Sequence, residues 1–313
     1  MSTGAISSGR LARLPRRRLI NPYGAAANFA RAVRSNRKAT AGLVLLLVFV
    51  FLALFPGLIA RDNPSAQLYG SELAPSSAHL LGTTQLGQDI FSQLIWSARA
   101  SLILALSAGL LTTLLAVVVG LTAAYVGGIV DNMLSMVTDV FLVIPAFPLV
   151  VVITAYSKSA NSWVLIAVLV VTGWSYGARQ LRVQGLAIRE RDFLVAARLR
   201  GERTWRVVAS EILPTMSSLI VAIFLGSVIY AIITAAGLQF IGLGLSSTWT
   251  WGTMLYWAQS NGALQTGQPL WAIMPGVCIA LLGASFALLN YAFDEVNNPA
   301  LRPVRRKRAA ARS

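Results

Sequence analysis

The stretch Ala100-Ser-Leu-Ile-Leu-Ala-Leu-Ser-Ala-Gly-Leu-Leu-Thr-Thr-Leu-Leu-Ala-Val-Val-Val-Gly-Leu-Thr-Ala-Ala-Tyr-Val-Gly-Gly-Ile-Val130 carries no charged residue. A helix needs about 20 apolar residues to cross a bilayer core, whereas a buried core helix of a soluble protein explains about 10–14. The stretch therefore reads as a membrane span. Working outward, Ala41 to Ala60 is a second charge-free run, and Asn132 to Ser157 carries a single charge, Asp139. Ser159 to Ala178 is another, and Ile212 to Phe293 has no charge at all. That last run is too long for one helix. It divides around a polar, Gly- and Trp-containing stretch at about 246–269, giving spans near Met216–Leu238 and Leu270–Tyr291. The expectation is an all-α polytopic membrane protein with six transmembrane helices. A signal peptide is not expected, because a long polar and basic stretch precedes the first apolar run and no small-residue cleavage site follows it.

Composition agrees with that reading. The 313 residues are 56% hydrophobic and only 12% charged, yet the net charge is +15. Most of the 26 Lys/Arg residues fall in three blocks: Arg10–Lys38, Arg179–Arg206 and Arg302–Arg312. Six spans with a cytoplasmic N-terminus put these blocks on the cytoplasmic side, which is the positive-inside bias. The charge then reflects topology and attraction to anionic lipid, and no nucleic-acid partner is expected. The single Cys278 excludes an internal disulfide, and the single His79 excludes multi-histidine zinc chemistry.

Enzyme motifs are missing too. None of Lys38, Lys158 and Lys307 follows a glycine, so there is no P-loop, and there is no G-x-S-x-G elbow. The only acidic residue inside an apolar run is Asp139, expected to snorkel or to pair with an arginine of the basic middle block. Pro145 and Pro148 should break the third span's helix, and broken backbone at membrane depth is tolerated where it lines a cavity. From Leu86 to Ala98 the periodicity suggests an amphipathic helix in the outer interface. Trp249, Trp251, Trp257 and Trp271 read as an interfacial aromatic belt.

The segment Arg189-Glu-Arg-Asp-Phe-Leu-Val-Ala-Ala-Arg-Leu-Arg-Gly-Glu-Arg-Thr-Trp-Arg-Val-Val-Ala-Ser-Glu-Ile-Leu-Pro214 reads as helix, break, helix. Phe193, Ala196, Ala197 and Arg200 share a face at i, i+3, i+4 and i+7, and the two alanines let another surface approach closely. Gly201 suits a left-handed helix end, and Pro214 suits the first turn of the next span. Trp205, Val208 and Ala209 extend a second, short apolar face.

This segment resembles the EAA loop, E-A-A-x3-G-x9-I-x-L-P, of ABC-importer permeases. Ala196, Ala197, Gly201, Leu213 and Pro214 match; Val195 and Glu211 depart from it. Further matches resemble the dipeptide/oligopeptide/nickel permeases. His79-Leu-Leu-Gly-Thr-Thr-Gln-Leu-Gly-Gln-Asp-Ile-Phe-Ser92 is similar to H-P-L-G-T-D-x-x-G-R-D-x-x-S, with Gln88 and Gln93 where arginines are common. Phe240-Ile-Gly-Leu-Gly244 before Trp251-Gly252 is similar to F-L-G-L-G…W-G, and Asn298–Arg302 to that family's closing stretch. Arg34-Ser-Asn-Arg-Lys-Ala-Thr-Ala-Gly-Leu43 resembles the N-terminal region typical of the "C" subunit of the permease pair.

The resemblance implies a type I importer permease fold with both termini cytoplasmic, in a bacterial inner membrane. It divides the chain into a basic segment with an amphipathic helix (1–40), a first transmembrane helix (41–60), an outer loop with an amphipathic helix (61–99), a five-helix core (100–297) with the coupling loop 189–214, and a basic tail (298–313). It implies a non-catalytic subunit of an ATP-driven peptide importer. The partners would be a homologous permease, two ATPases that bind ATP and Mg, and an extracytoplasmic binding protein; this chain itself would bind no cofactor or metal. Coupling would fall to Phe193, Ala196, Ala197, Arg200, Gly201, Leu213 and Pro214. Candidate pathway or gate residues are Asp139, Pro145, Pro148, Phe240, Gly242 and Gly244. Import of nickel or another small solute, and an ATPase-independent channel or transporter, are the rival readings.

Overall fold

Asn36 opens the first long helix by accepting a hydrogen bond from Lys38 N at 2.9 Å. The computed structural model describes residues 36–60, 62–157, 161–192, 194, 199–244 and 248–297. The predicted N-terminal amphipathic helix and the basic tail lie outside them. Among the described residues all regular elements are helical. Helix α1 is Arg37–Leu54, followed by the short α2 (Pro56–Ile59). Helix α3, Ile90–Val126, runs for 37 residues. Asp89 caps its start, accepting from Ser92 N at 2.7 Å, and Gly127 ends it at φ +71°. At 1.5 Å per residue α3 is roughly 55 Å long, well beyond a hydrocarbon core of about 30 Å.

Helices α4 (Gly128–Val143) and α5 (Ala146–Tyr156) form one broken span bent by 89°. The break lies at Ile144-Pro145. Pro148 sits in the first turn of α5, where its missing N–H leaves no bond unmade. Helix α6 (Ser162–Arg189) leads to the short α7 (Thr204–Val207), a π-helical stretch (Val208–Ile212) and α8 (Leu213–Thr215). In the π-helical stretch Leu213 N donates to Val208 O, five residues back. The wide turn falls just before Pro214, which has no N–H to continue the regular ladder. Helices α9 (Ser217–Phe240), α10 (Trp251–Ser260) and α11 (Pro269–Asn297) complete the chain. Among the described residues five helices are long and apolar enough to cross a membrane, and the broken pair, counted as one span, brings the number to six.

Helix α3 is the central post, packed on α6 and α9, while α1 lies against α11. Small residues let the backbones approach. A Cβ on Gly120 would lie 2.5 Å from Ala178 O, and one on Gly109 2.5 Å from Val228 Cγ2. Apolar side chains left exposed, such as Val44, Leu47 and Phe51 on α1, suit a lipid surroundings rather than water.

Two expectations need correction. The stretch from Leu86 is not a separate interfacial helix: from Ile90 it is the beginning of α3. Its supposedly wet face, including Gln88, Asp89, Ser92 and Gln93, is buried. Gln93 Nε2 donates to Pro64 O at 3.2 Å and to Gln88 Oε1 at 2.8 Å, so folded chain, not headgroup or water, satisfies these groups. Nor is Trp251 a belt residue. It is 1% exposed, its Nε1 donates to Leu94 O at 3.1 Å, and its ring meets Phe49 edge-on at 5.4 Å.

Candidate functional site

The bend between α4 and α5 opens a cavity of about 720 Å³ against α6 and α9. Pro145 fixes its own φ and cannot donate to the helix ladder, so the chain turns there and exposes backbone to the cavity. Thr172, Tyr176 and Gln180 on α6 face it, with Ser227 and Tyr230 on α9 and Asn290 on α11. Thr172 Oγ1 and Tyr230 Oη are 3.1 Å apart, tying α6 to α9 across the wall. Gly173 makes this possible, because a Cβ there would lie 2.7 Å from Tyr230 Cε1. The described wall contains no ionisable group other than tyrosine. It offers hydroxyls and amides to an uncharged or mixed-polarity solute without a fixed charge to hold it.

Of the candidate pathway residues, only Pro145 lines this cavity. Asp139 lies further along α4 and pairs with Arg179 Nη1 at 3.0 Å, both side chains being more than half exposed. A second pair is more enclosed: Arg182 donates to both carboxylate oxygens of Asp131, with Nη2–Oδ2 at 2.9 Å. Together they lace α4 to α6 toward the arginine-bearing end. Phe240, Gly242 and Gly244 sit at the other end of α9. Gly242 has φ +85° and Gly244 φ +64°; a Cβ on Gly244 would touch Leu165 at 3.4 Å and Thr154 at 3.7 Å. Sequence reading missed Thr172, Gln180, Tyr230 and Asn290. Their signal was polarity inside otherwise apolar spans.

In the 189–214 segment, Phe193, Ala196 and Ala197 lie outside the described residues. Gly201 adopts φ +71°, and nothing stands within 4 Å of where its Cβ would be. Arg200 holds Glu202 through Nε and Nη2 at 2.9 and 2.8 Å. Around this break Leu199 is 84% and Trp205 66% exposed. Ala209 is exposed, and Val207 and Leu194 are fully buried, so the inward face is carried by Val207 rather than Ala209. Leu213 and Pro214 are half-buried, Leu213 packing on the cluster that includes Leu181, Val207 and Ile212. The segment thus presents apolar side chains outward on a firmly anchored base.

At the opposite end, His79 Nδ1 lies 3.1 Å from Asp89 Oδ1 and its ring packs edge-on against Tyr69 at 4.2 Å. The Tyr69 hydroxyl donates to Asp62 at 2.9 Å, and that carboxylate holds the phenol above its usual range. These contacts fasten the 62–89 loop to the start of α3, a structural task for the one histidine.

Residues 116–297 match the family described as "Binding-protein-dependent transport system inner membrane component". The chain is 30% identical to the oligopeptide transport system permease protein OppC of Mycobacterium tuberculosis (strain ATCC 25618 / H37Rv) over 274 residues, covering 87% of this chain and 93% of that one. It is 32% identical to the dipeptide transport system permease protein DppC of Bacillus subtilis (strain 168) over 278 residues, covering 87% and 85%. It is 31% identical to the glutathione transport system permease protein GsiD of Pectobacterium atrosepticum over 274 residues, covering 87% and 90%. A multi-pass helical bundle with a broken span, matched over most of its length to such permeases, belongs to the binding-protein-dependent transport inner membrane components, as an ABC permease of the dipeptide/oligopeptide group.

Proposed function

We propose that this chain is one of two homologous permease subunits in an ATP-driven peptide importer of a bacterial inner membrane. The carrying observation is the cavity of about 720 Å³ at the 89° bend, whose mostly apolar wall carries neutral polar groups from α6, α9 and α11. Such a wall suits solutes that share a backbone and differ in side chains. The relatives named for oligopeptide, dipeptide and glutathione transport support that substrate class.

In this reading the arginine-bearing end faces the cytoplasm, following the positive-inside bias. The exposed segment around Leu199, Gly201 and Trp205 meets an ATPase subunit, with Phe193, Ala196, Ala197, Arg200, Leu213 and Pro214 shaping or anchoring that contact. ATP and Mg bind the two ATPases, and an extracytoplasmic binding protein delivers the peptide. Closure of the ATPases moves the coupling segment as a rigid body and switches access to the cavity. Pro145, Thr172, Tyr230 and Asn290 belong to the pathway wall. Asp139 stiffens α4 against α6, and Pro148, Phe240, Gly242 and Gly244 shape the span ends around the cavity.

The test is purification of the tagged chain in mild detergent, then reconstitution with the ATPases that come with it. Peptide-stimulated ATP hydrolysis and vesicle uptake of labelled di- and oligopeptides are expected. Uptake competed by nickel and not by peptides, or uptake without ATP, would overturn the reading.

A further inference from the structure

Two carboxylate–arginine pairs join α4 to α6, and they are built differently. Asp131 fills the fork of Arg182: Nε and Nη2 donate to Oδ1 and Oδ2, and Ser135 Oγ donates to the same Oδ1 at 3.2 Å. Arg182 is 30% exposed and Asp131 14%. Asp139 instead touches Arg179 at one point, accepting from Nη1 at 3.0 Å, and the two side chains are 58% and 59% exposed. Among the described residues nothing else accepts a hydrogen bond from Arg179, so its Nε–Nη2 edge is unfilled. That is the same edge that Asp131 occupies on Arg182, three residues further along α6.

Parallel N–H bonds from Nε and Nη2 match the two oxygens of a carboxylate. The contact with Asp139 need not break for such a ligand to bind, because Asp139 uses the other nitrogen. Charged side chains within an apolar span face protein or a water-filled cavity rather than lipid. Asp139 stands eleven residues into α4, roughly 16 Å along it, so the pair lies inside the span. An open groove of about 580 Å³ runs along α4 from Asn132 to Ile144, and Asp139 is the one charged residue in its lining among the described residues. The groove shares Val143 and Ile144 with the cavity at the bend. A solute moving from that neutral cavity along α4 thus meets Asp139 and its partner Arg179 as its first fixed charges. Of a peptide's parts, the terminal carboxylate fits the fork and is common to every sequence. A terminal ammonium finds only the second oxygen of Asp139.

We propose that Arg179 is a carboxylate subsite of the transport pathway, binding the C-terminal carboxylate of the peptide through Nε and Nη2 while Asp139 holds Nη1. It rests on the peptide-import reading for its ligand. The tagged full chain, with the subunits that co-purify and without binding protein, is placed in nanodiscs of phosphatidylethanolamine and phosphatidylglycerol. It is titrated calorimetrically with N-acetyl-leucyl-alanine, which ends in a carboxylate, and with the C-terminal amide of the same peptide. The acid should bind saturably, and the amide roughly tenfold or more weakly. Arg179→Gln should abolish that preference by bringing the acid down to the amide. Arg179→Lys keeps the charge, loses the fork and should retain only part of the preference. Asp139→Asn separates binding from the joining of α4 to α6. Both Arg179→Gln and Asp139→Asn break the ion pair, so a purely structural role weakens acid binding alike in both. The subsite requires that Asp139→Asn keep or raise affinity for the acid, since a competing carboxylate is gone. If Arg179→Gln melts early, Arg179→Lys and Asp139→Asn still carry the test. No saturable binding of the acid, equal affinity for acid and amide, or equal losses in Arg179→Gln and Asp139→Asn would overturn the subsite. Uptake by the assembled transporter is measured in parallel. Peptide uptake with no preference for the acid in the titration would sink the subsite alone; a preference for the acid with uptake competed only by nickel would sink the import reading while the carboxylate site stands.

Discussion

Gly201 gives a direct way to separate backbone geometry from contact in the proposed coupling segment. Its φ is +71°, and a Cβ there would meet nothing within 4 Å. A substitution therefore adds no clash inside this chain; its whole effect is the left-handed penalty. For an L-residue that penalty is about 1–2 kcal/mol, smaller for Asn and larger for a β-branched side chain. Taken as a loss of the coupling-competent population, 1–2 kcal/mol is roughly a 5- to 30-fold fall. Peptide uptake in vesicles holding the assembled transporter should thus rank Gly201, Asn, Ala, Val, with Gly201→Val near background. Membrane insertion should be unchanged, because Gly201 lies outside every apolar helix. ATP hydrolysis in Gly201→Val should persist but lose its stimulation by peptide. Wild-type uptake by Gly201→Val at equal membrane levels would refute the coupling role. Equal damage from Asn and Val would refute the conformational explanation while leaving the segment important.

Asp131→Ala should lower thermal stability in detergent by about 1.5–3 kcal/mol, since it strands the partly enclosed Arg182; Asp139→Ala, losing an exposed pair, should shift the melting point less. Gly120→Ala should also lower the melting point, by about 1–3 kcal/mol, because its Cβ would press on Ala178 O, a backbone atom that cannot step aside. Gly276→Ala, with open space at its Cβ, is the matched control and should be neutral or slightly stabilising through helix propensity.

The spans were legible because a bilayer imposes a length that few soluble helices reach, and the broken third span because Pro145 lacks the N–H that would continue the helix ladder there. Six spans were expected, and the structure has five long helices and one bent pair. The helix from Leu86 was misread because periodicity reports which residues avoid one another's face, not what lies against the polar one. There, folded loop carries the acceptors: Gln93 reaches Pro64 O, and nothing local to residues 86–98 announces it. The cavity wall was illegible for a related reason. Thr172 and Tyr230 are 58 positions apart and meet only because Gly173 admits the phenol ring.

The F-I-G-L-G…W-G stretch shows how a motif recognised by resemblance acquires a physical reason. Phe240, Gly242 and Gly244 were expected at a gate; in the structure Gly242 lies against Tyr256 of α10, and Gly244 against Leu165 of α6 and Thr154 of α5. Thr250 caps α10 through a capping box with Thr253 and also donates to Gln239 Oε1 at 2.8 Å. The next residue, Trp251, buries its indole on Leu94 O, and its own N–H donates to Ser101 Oγ at 3.0 Å. Gly252 then has no room for a side chain, since a Cβ would stand 2.9 Å from Ala236 Cα. Each residue type is dictated by the helix it meets: an amide on α9 for the cap, a flat donor for α3, no side chain where α10 crosses α9. The turn at Gly242 and Gly244, both left-handed, delivers the chain to that crossing. If these residues influence transport, they do so by holding α10 against the C-terminal part of α9, the helix whose Ser227 and Tyr230 wall the cavity.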